Sequence, residues 1–214
     1  KKIKEDFNFM DMVILYRTNA QSRSIEDELR KQAIPYKIIG GVKFYDRKEV
    51  KDILAYLRLL VNPKDDLSFE RVINFPPRGL GQKTILELKK QAIQKQVSLL
   101  DLLSGEFSAG KKQSMSLRSF HQMIVNLTNL TLEKTPHEII HELIDQIHLE
   151  TYYTDQKSDD AFERWSNIEE LIATLAEFTE FNPENKLDQF LEEVSLLTDI
   201  DRWNEESSAV TLMT

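Results

Sequence analysis

The run Phe75-Pro76-Pro77-Arg78-Gly79-Leu80-Gly81-Gln82-Lys83-Thr84 carries the clearest chemistry in the chain. Glycines two apart let a backbone approach an anion closely. A helix starting near Thr84 would turn the amides of residues 81–84 outward, where its dipole favours phosphate. Arg78 and Lys83 add cations, and Thr84 adds a hydroxyl. This is the layout of a helix–hairpin–helix clamp, which grips a duplex backbone without reading its sequence. A plain glycine-capped turn would use the same residues.

Two further stretches could touch nucleic acid. Arg17-Thr18-Asn19-Ala20-Gln21-Ser22-Arg23 follows an apolar run, Met12–Tyr16, of strand length. Open α/β sheets bind ligands at such a strand end. Arg17 offers a fork suited to phosphate and Asn19 a donor–acceptor pair suited to a base edge or sugar. The other stretch, residues 41–51, mixes Lys43, Arg47, Lys48 and Lys51 with Phe44 and Tyr45. Cations with stacking rings suit single-stranded or junction DNA; a first helical turn with both rings in the core reads equally well.

One pattern imitates a metal site. His137-Glu138-Ile139-Ile140-His141 matches the zinc-protease signature. Pro136 stands immediately before it, however, and Glu138 is explained as the N3 partner of Thr135. Catalytic zinc needs a third protein ligand, and no candidate motif follows. No metal is expected. There is no phosphate-binding P-loop, dinucleotide fingerprint or nucleophile elbow, so no catalytic residue is assigned. Cysteine is absent, which removes disulfides and thiolate chemistry and permits a cytoplasmic setting. No apolar segment follows Lys1-Lys2-Ile3-Lys4-Glu5 as a secretory signal would require.

The elements that must position these groups begin and end as strands. Met12–Tyr16 reads as a strand buried on both faces. A helix follows with Ser24 as N-cap, Asp27 at N3 and Ile25, Leu29 and Ala33 inward, ended by Pro35. Tyr36–Ile39 is a second strand, closed by Gly40-Gly41. Helix then takes over. Asp46 and Glu49 form an expected capping box before Val50, Ile53, Leu54, Leu57 and Leu60. Shorter helices start at Asp66 and near Thr84, and a long one passes through Leu117, Phe120, Ile124, Leu127 and Leu130. Thr135, Pro136 and Glu138 open the next. Two more run through Phe162, Trp165, Ile168, Leu171, Leu175 and Phe178, and through Leu187, Phe190, Leu191, Val194 and Leu197. Trp165 and Trp203 read as packing. Ala209–Thr214 returns to strand character, with no connection visible in the sequence. The fold class is therefore mainly α: a helical insertion between pieces of an α/β unit, expected to be a fragment of a larger protein.

Charge is uneven. Residues 1–154 hold 24 Lys/Arg against 20 Asp/Glu, a local +4, while residues 155–214 hold 4 against 16, a local −12. Phosphate binding needs a cation excess, so any DNA surface belongs to the first part. The acidic end faces away from DNA or towards a basic partner.

Together, Val13–Arg23, Gly40–Arg58 and Pro77-Arg78-Gly79-Leu80-Gly81 resemble the bacterial superfamily 1 DNA helicases of the UvrD/Rep/PcrA type, the PcrA branch most closely. Val210–Thr214 looks like the opening of that family's motif V, cut before its histidine, lysine and glycine. The resemblance implies that residues 1–44 and 209–214 belong to a partial RecA-like 2A domain and residues 45–208 to its inserted helical 2B domain. It places Arg17, Asn19 and Thr214 on the single-stranded DNA track. It places duplex contacts at Arg78, Gly79, Leu80, Gly81, Gln82, Lys83 and Thr84, with Lys43 and Arg47 beside them. The whole enzyme would be an ATP-dependent 3′-to-5′ helicase of DNA repair or replication, using ATP and Mg²⁺. This stretch would have no cofactor and no catalysis of its own. Its partners would be DNA, the remaining helicase domains and a repair or transcription protein. Movement of 2B would regulate unwinding. The alternative is a protein-interaction module that docks a partner through the acidic 155–206 face.

Overall fold

Short apolar segments form three strands: β1 (Val13–Leu15), β2 (Tyr36–Ile39) and β3 (Val210–Met213). The computed structural model describes residues 7–18, 21–181, 183–184, 186–203 and 208–214, for 199–203 the backbone alone. β3 lies between the other two strands and runs parallel to both, giving the order β1-β3-β2. The Thr211 amide donates to Met12 O at 3.0 Å and the Val210 amide to Pro35 O at 2.9 Å. Residues 210–213 are the centre of the sheet, because both edges of β3 find a partner.

Helix α1 (Ser22–Lys31) covers one face of this sheet. Ile25 and Leu29 meet Ile14, Ile38, Leu212 and Val210 in a small apolar cluster. The opposite face stays open among the described residues: Val13, Leu15 and Ile39 are 55%, 72% and 50% exposed. So β1 is buried on one face only, against the expectation from its continuous apolar run. The start of α1 also differs. Gln21, not Ser24, is its N-cap, and Ala33 lies beyond its end with a positive φ of 51°. Ser24 bonds back to the Gln21 carbonyl, and Asp27 is held by Arg23 and Arg30.

The helical block comprises α2 (Lys48–Val61), α3 (Asp66–Val72), α4 (Gln82–Lys95), α5 (Leu99–Ser104) and α6 (Lys111–Leu130). It continues through α7 (Pro136–Gln146), α8 (Leu149–Thr154), α9 (Asp159–Phe181) and α10 (Leu187–Trp203). α2 is its axis, packed by α3, α6, α9 and α10. Val50, Ile53, Leu54, Leu57 and Leu60 are all buried, as their spacing predicts. The core of this block takes in side chains from Phe44 to Val194 and is separate from the cluster under the sheet. Trp165 packs against it, whereas Phe162 points to solvent. The side chain of Trp203 lies outside the described residues.

Asp46 does not cap α2. It ends a 3-10 turn, Phe44–Asp46, and pairs with Lys51 at 2.5 Å, while Arg47 is the N-cap and makes no side-chain cap bond. Glu49 turns inward and accepts from Asn167 Nδ2 of α9 at 2.6 Å. That contact belongs to a polar seam between α1 and the helical block. Arg23 of α1 reaches Glu170 and Glu177 of α9 at 3.0 and 2.7 Å. Arg47 bridges Ser22 of α1 and Asn167 of α9 at 2.7 and 2.8 Å. Glu26 sits at the centre, fully buried, accepting from Ser22 Oγ, Tyr36 Oη, Arg30 and the Phe44 amide. Burial raises its carboxyl above the usual range, and these bonds pull it back only in part.

Candidate nucleic-acid interface

The turn between α3 and α4 is assembled around Asn74, a residue the sequence reading passed over. Its Oδ1 accepts the Arg78 amide at 2.8 Å and the Leu80 amide at 3.2 Å, folding residues 74–80 into a tight loop. Leu80 is 2% exposed and pins the loop to the core. Gly79 has φ +71°, a left-handed conformation costly to any residue with a Cβ. Gly81 is the N-cap of α4; its carbonyl accepts from Thr84 N at 3.0 Å, and no side chain caps this terminus. Gln82 and Lys83 are exposed in the first turn and Thr84 is half-buried. The result is a small loop with outward amides, one exposed cation and a buried anchor.

Arg78, expected to add a cation to the loop, is bonded inward: its Nη1 donates to the carbonyls of Val72, Ile73 and Phe75 at 3.0, 3.2 and 2.8 Å. Its Nη2 donates to Tyr56 Oη at 2.6 Å, and the guanidinium stacks 5.1 Å from the Phe120 ring centroid. The carbonyls at the end of α3 have lost their helical donors, and Arg78 replaces them. Tyr56 in turn donates to the Phe75 carbonyl, and burial pushes its phenol up to about 12. Leu80 is likewise an anchor whose side chain points away from solvent.

The basic–aromatic stretch also turns inward. Phe44 and Tyr45 are buried and meet edge to face at 5.0 Å, so neither ring can stack on a base. The Arg47 guanidinium is consumed by the α1–α9 seam, where burial lowers its pKa. Lys43 is half-buried with its ammonium 5.8 Å from the Tyr36 ring centroid.

At the sheet, two of the three expected single-strand residues come together. Arg17 follows β1 and Thr214 follows β3, both exposed, at the carboxyl ends of neighbouring parallel strands. Gln21 Oε1 accepts the amides of Arg17 and Thr18 at 3.0 and 3.3 Å, and the Tyr16 amide donates to Met213 O at 3.1 Å. Asn19 lies outside the described residues.

The His137–His141 pair is close, with Nε2 atoms 3.1 Å apart, but no group of three metal-ligating side chains exists among the described residues. Glu138 is engaged in the capping box with Thr135, which holds its carboxyl below the usual range. Burial, then the charge of His141, lowers His137. A base with a depressed folded-state pKa stabilises the fold above its unfolded pKa and loses that contribution as pH falls through the folded value. Thermal melts should therefore drop as pH falls through and below the ordinary imidazole range, and His137→Gln should flatten part of that drop. His121, lowered mainly by burial, acts in the same direction. An unchanged slope in His137→Gln would contradict this assignment.

Over its full length, residues 1–214, the chain matches the UvrD-like helicase C-terminal domain family. It is 41% identical over 212 residues to the ATP-dependent DNA helicase PcrA of Bacillus subtilis, covering 95% of this chain and 29% of that protein. It is 38% identical over 214 residues to PcrA of Staphylococcus epidermidis and 37% to PcrA of Staphylococcus aureus, covering in both cases 96% of this chain and 29% of the relative. The chain thus spans under a third of the length of these relatives. Among the described residues, no helix is long and apolar enough to cross a membrane.

Proposed function

The chain belongs to the UvrD-like helicase C-terminal domain family, and on that premise we propose that it is the DNA-engaging and regulatory part of an ATP-dependent 3′-to-5′ DNA helicase. The loop at residues 74–84 grips the backbone of duplex DNA ahead of the fork. Gly79 and Gly81 allow the close approach, the first amides of α4 face the phosphate, and Lys83 supplies charge. Arg78 and Leu80 act from behind by holding the loop in shape. Arg17, Asn19 and Thr214 form the single-strand contact at the end of the sheet. ATP and Mg²⁺ serve the whole enzyme and bind elsewhere in it.

The sheet with α1 corresponds on this reading to part of a 2A domain, and the helical block to an inserted 2B domain. The polar seam of Arg23, Arg47, Glu170 and Glu177 would hold one against the other and yield when 2B moves. The observation that carries the duplex reading is the geometry of the Asn74-centred loop: a buried anchor, a left-handed glycine and an uncapped helix start beside one exposed lysine. A second reading has support in the acidic rim of α10, where Asp188 and Glu192 line a groove with Asp65. That face suits a basic repair or transcription partner.

Fluorescence anisotropy on a single strand, a blunt duplex and a tailed duplex, titrated against salt, separates the two readings. The duplex reading expects binding to both duplexes, and Lys83→Glu should reduce the log–log salt slope by about one. Equal affinity of Lys83→Glu and the parent chain for duplex would remove the loop from the interface.

A further inference from the structure

A large groove shares Pro76, Pro77 and Arg78 with this loop and continues onto residues of α6 and α7 that are not assigned above to DNA. It has a volume of about 850 Å³ and is lined by Pro76, Pro77 and Arg78, by residues of α6, and by Gln146 and His148. Lys112, Ser116, Ser119, Gln122 and Asn126 line it from α6. Their spacing of three or four residues places them on one helical face. Among the described residues no Asp or Glu lines the groove. In a chain with 36 acidic residues and a net charge of −8, that is a selective omission. The omission extends along the sequence. Between Glu106 and Glu133 there is no acidic residue at all, while Lys111, Lys112 and Arg118 fall in the same stretch.

The floor is apolar, with Met115, Phe120, Met123 and Ile147, and the polar groups share a consistent chemistry. Hydroxyls and carboxamides donate hydrogen bonds without adding net charge, and Lys112 adds a cation. Arg78 also lines the groove, although its guanidinium donors are bonded inward. Such a surface attracts a polyanion along its length and penalises nothing about base sequence. An acidic protein segment would find few cations to pair with, and a basic one would find no carboxylates.

We infer that this groove holds the sugar–phosphate backbone of the duplex whose nearer phosphates rest on residues 79–84. The inference builds on the duplex reading of the loop and extends the contact onto α6. Ser119, Gln122 and Asn126 then serve as neutral phosphate and sugar donors, and Lys112 as the charged one.

The absence of cysteine makes a direct test possible. Ser119→Cys and Lys83→Cys, each carrying a photo-crosslinker, are irradiated with the same blunt duplex. Both should crosslink, with the Ser119→Cys adducts displaced along the duplex from those of Lys83→Cys. In parallel, Lys112→Glu/Asn126→Asp should weaken duplex binding about tenfold and reduce the salt slope. Both positions are exposed, so the melting temperature should stay unchanged and report an intact fold. Adducts from Lys83→Cys alone, with unaltered affinity of the double variant, would overturn the groove inference, leave the loop reading standing and open the groove to a peptide partner. Failure of both crosslinkers would overturn both.

Discussion

Arg78→Ala should destabilise the chain by about 3 kcal/mol, because it leaves several carbonyls and the Tyr56 hydroxyl without their charged donor. For a domain of this size the melting temperature should fall by roughly 10 °C. Arg78→Lys should recover little of this, since a single ammonium cannot reproduce a planar fork that spans the end of α3. Lys83→Ala, by contrast, should leave the melt unchanged and weaken duplex binding. Thermal melts and duplex titrations of the three variants distinguish a residue that builds the loop from one that faces DNA. If Arg78→Ala melted like the parent chain and lost only DNA affinity, the inward assignment of its guanidinium would be wrong.

The second large effect is expected at Arg47. It is 7% exposed, donates to Asn167, Ser22 and the Val42 carbonyl, and lies 5.3 Å from the Phe44 ring centroid. Arg47→Ala should cost about 3–5 kcal/mol, because the carboxylates of Glu26 and Glu49 lose a nearby cation in a buried setting. Arg47→Lys keeps the charge but cannot bridge α1 and α9 at once, so it too should melt early. A phosphate-binding Arg47 would behave in the opposite way, with lysine preserving DNA affinity and alanine sparing stability. Urea unfolding of both variants, alongside duplex titration, decides between the two.

These two arginines show where sequence reasoning stops. Their neighbourhoods are basic, aromatic or glycine-rich, which is also how a DNA-binding surface reads. Whether a guanidinium faces solvent or the core depends on nearby carbonyls left without helical donors and on side chains far along the chain. Arg47 finds Asn167, and Arg78 finds Tyr56, both beyond any local pattern. What repeats locally was legible. The apolar period of α2, the Thr135–Pro136–Glu138 start of α7 and the glycine conformation at Gly79 follow from residue types and spacing. The six-residue helices α5 and α8 are too short to show a period, although Ser98 three residues before Asp101 is a cap signal that could have revealed the first. The capping box expected at Asp46 failed because Phe44 and Tyr45 are drawn into the core, which moves the chain entry one residue later to Arg47. The position of β3 at the centre of the sheet needs the fold itself, since no sequence pattern records which strands become neighbours.

The acidic end of the chain also takes on structural meaning. Glu170 and Glu177 are turned towards Arg23, so part of the negative charge of residues 155–214 closes the seam between α1 and α9. Ionic strength should therefore act on this seam as well as on DNA binding, and salt titrations need a melt at each salt concentration as a companion.

The most direct test of the central claim is an amide NMR titration of the isotopically labelled chain with a blunt duplex. If the loop grips the backbone, the amides of Gly79, Gly81, Gln82 and Lys83 should shift progressively with added duplex, while those of α9 and α10 stay in place. Shifts confined to α9, α10 or the sheet end, with residues 79–83 unmoved, would contradict the account.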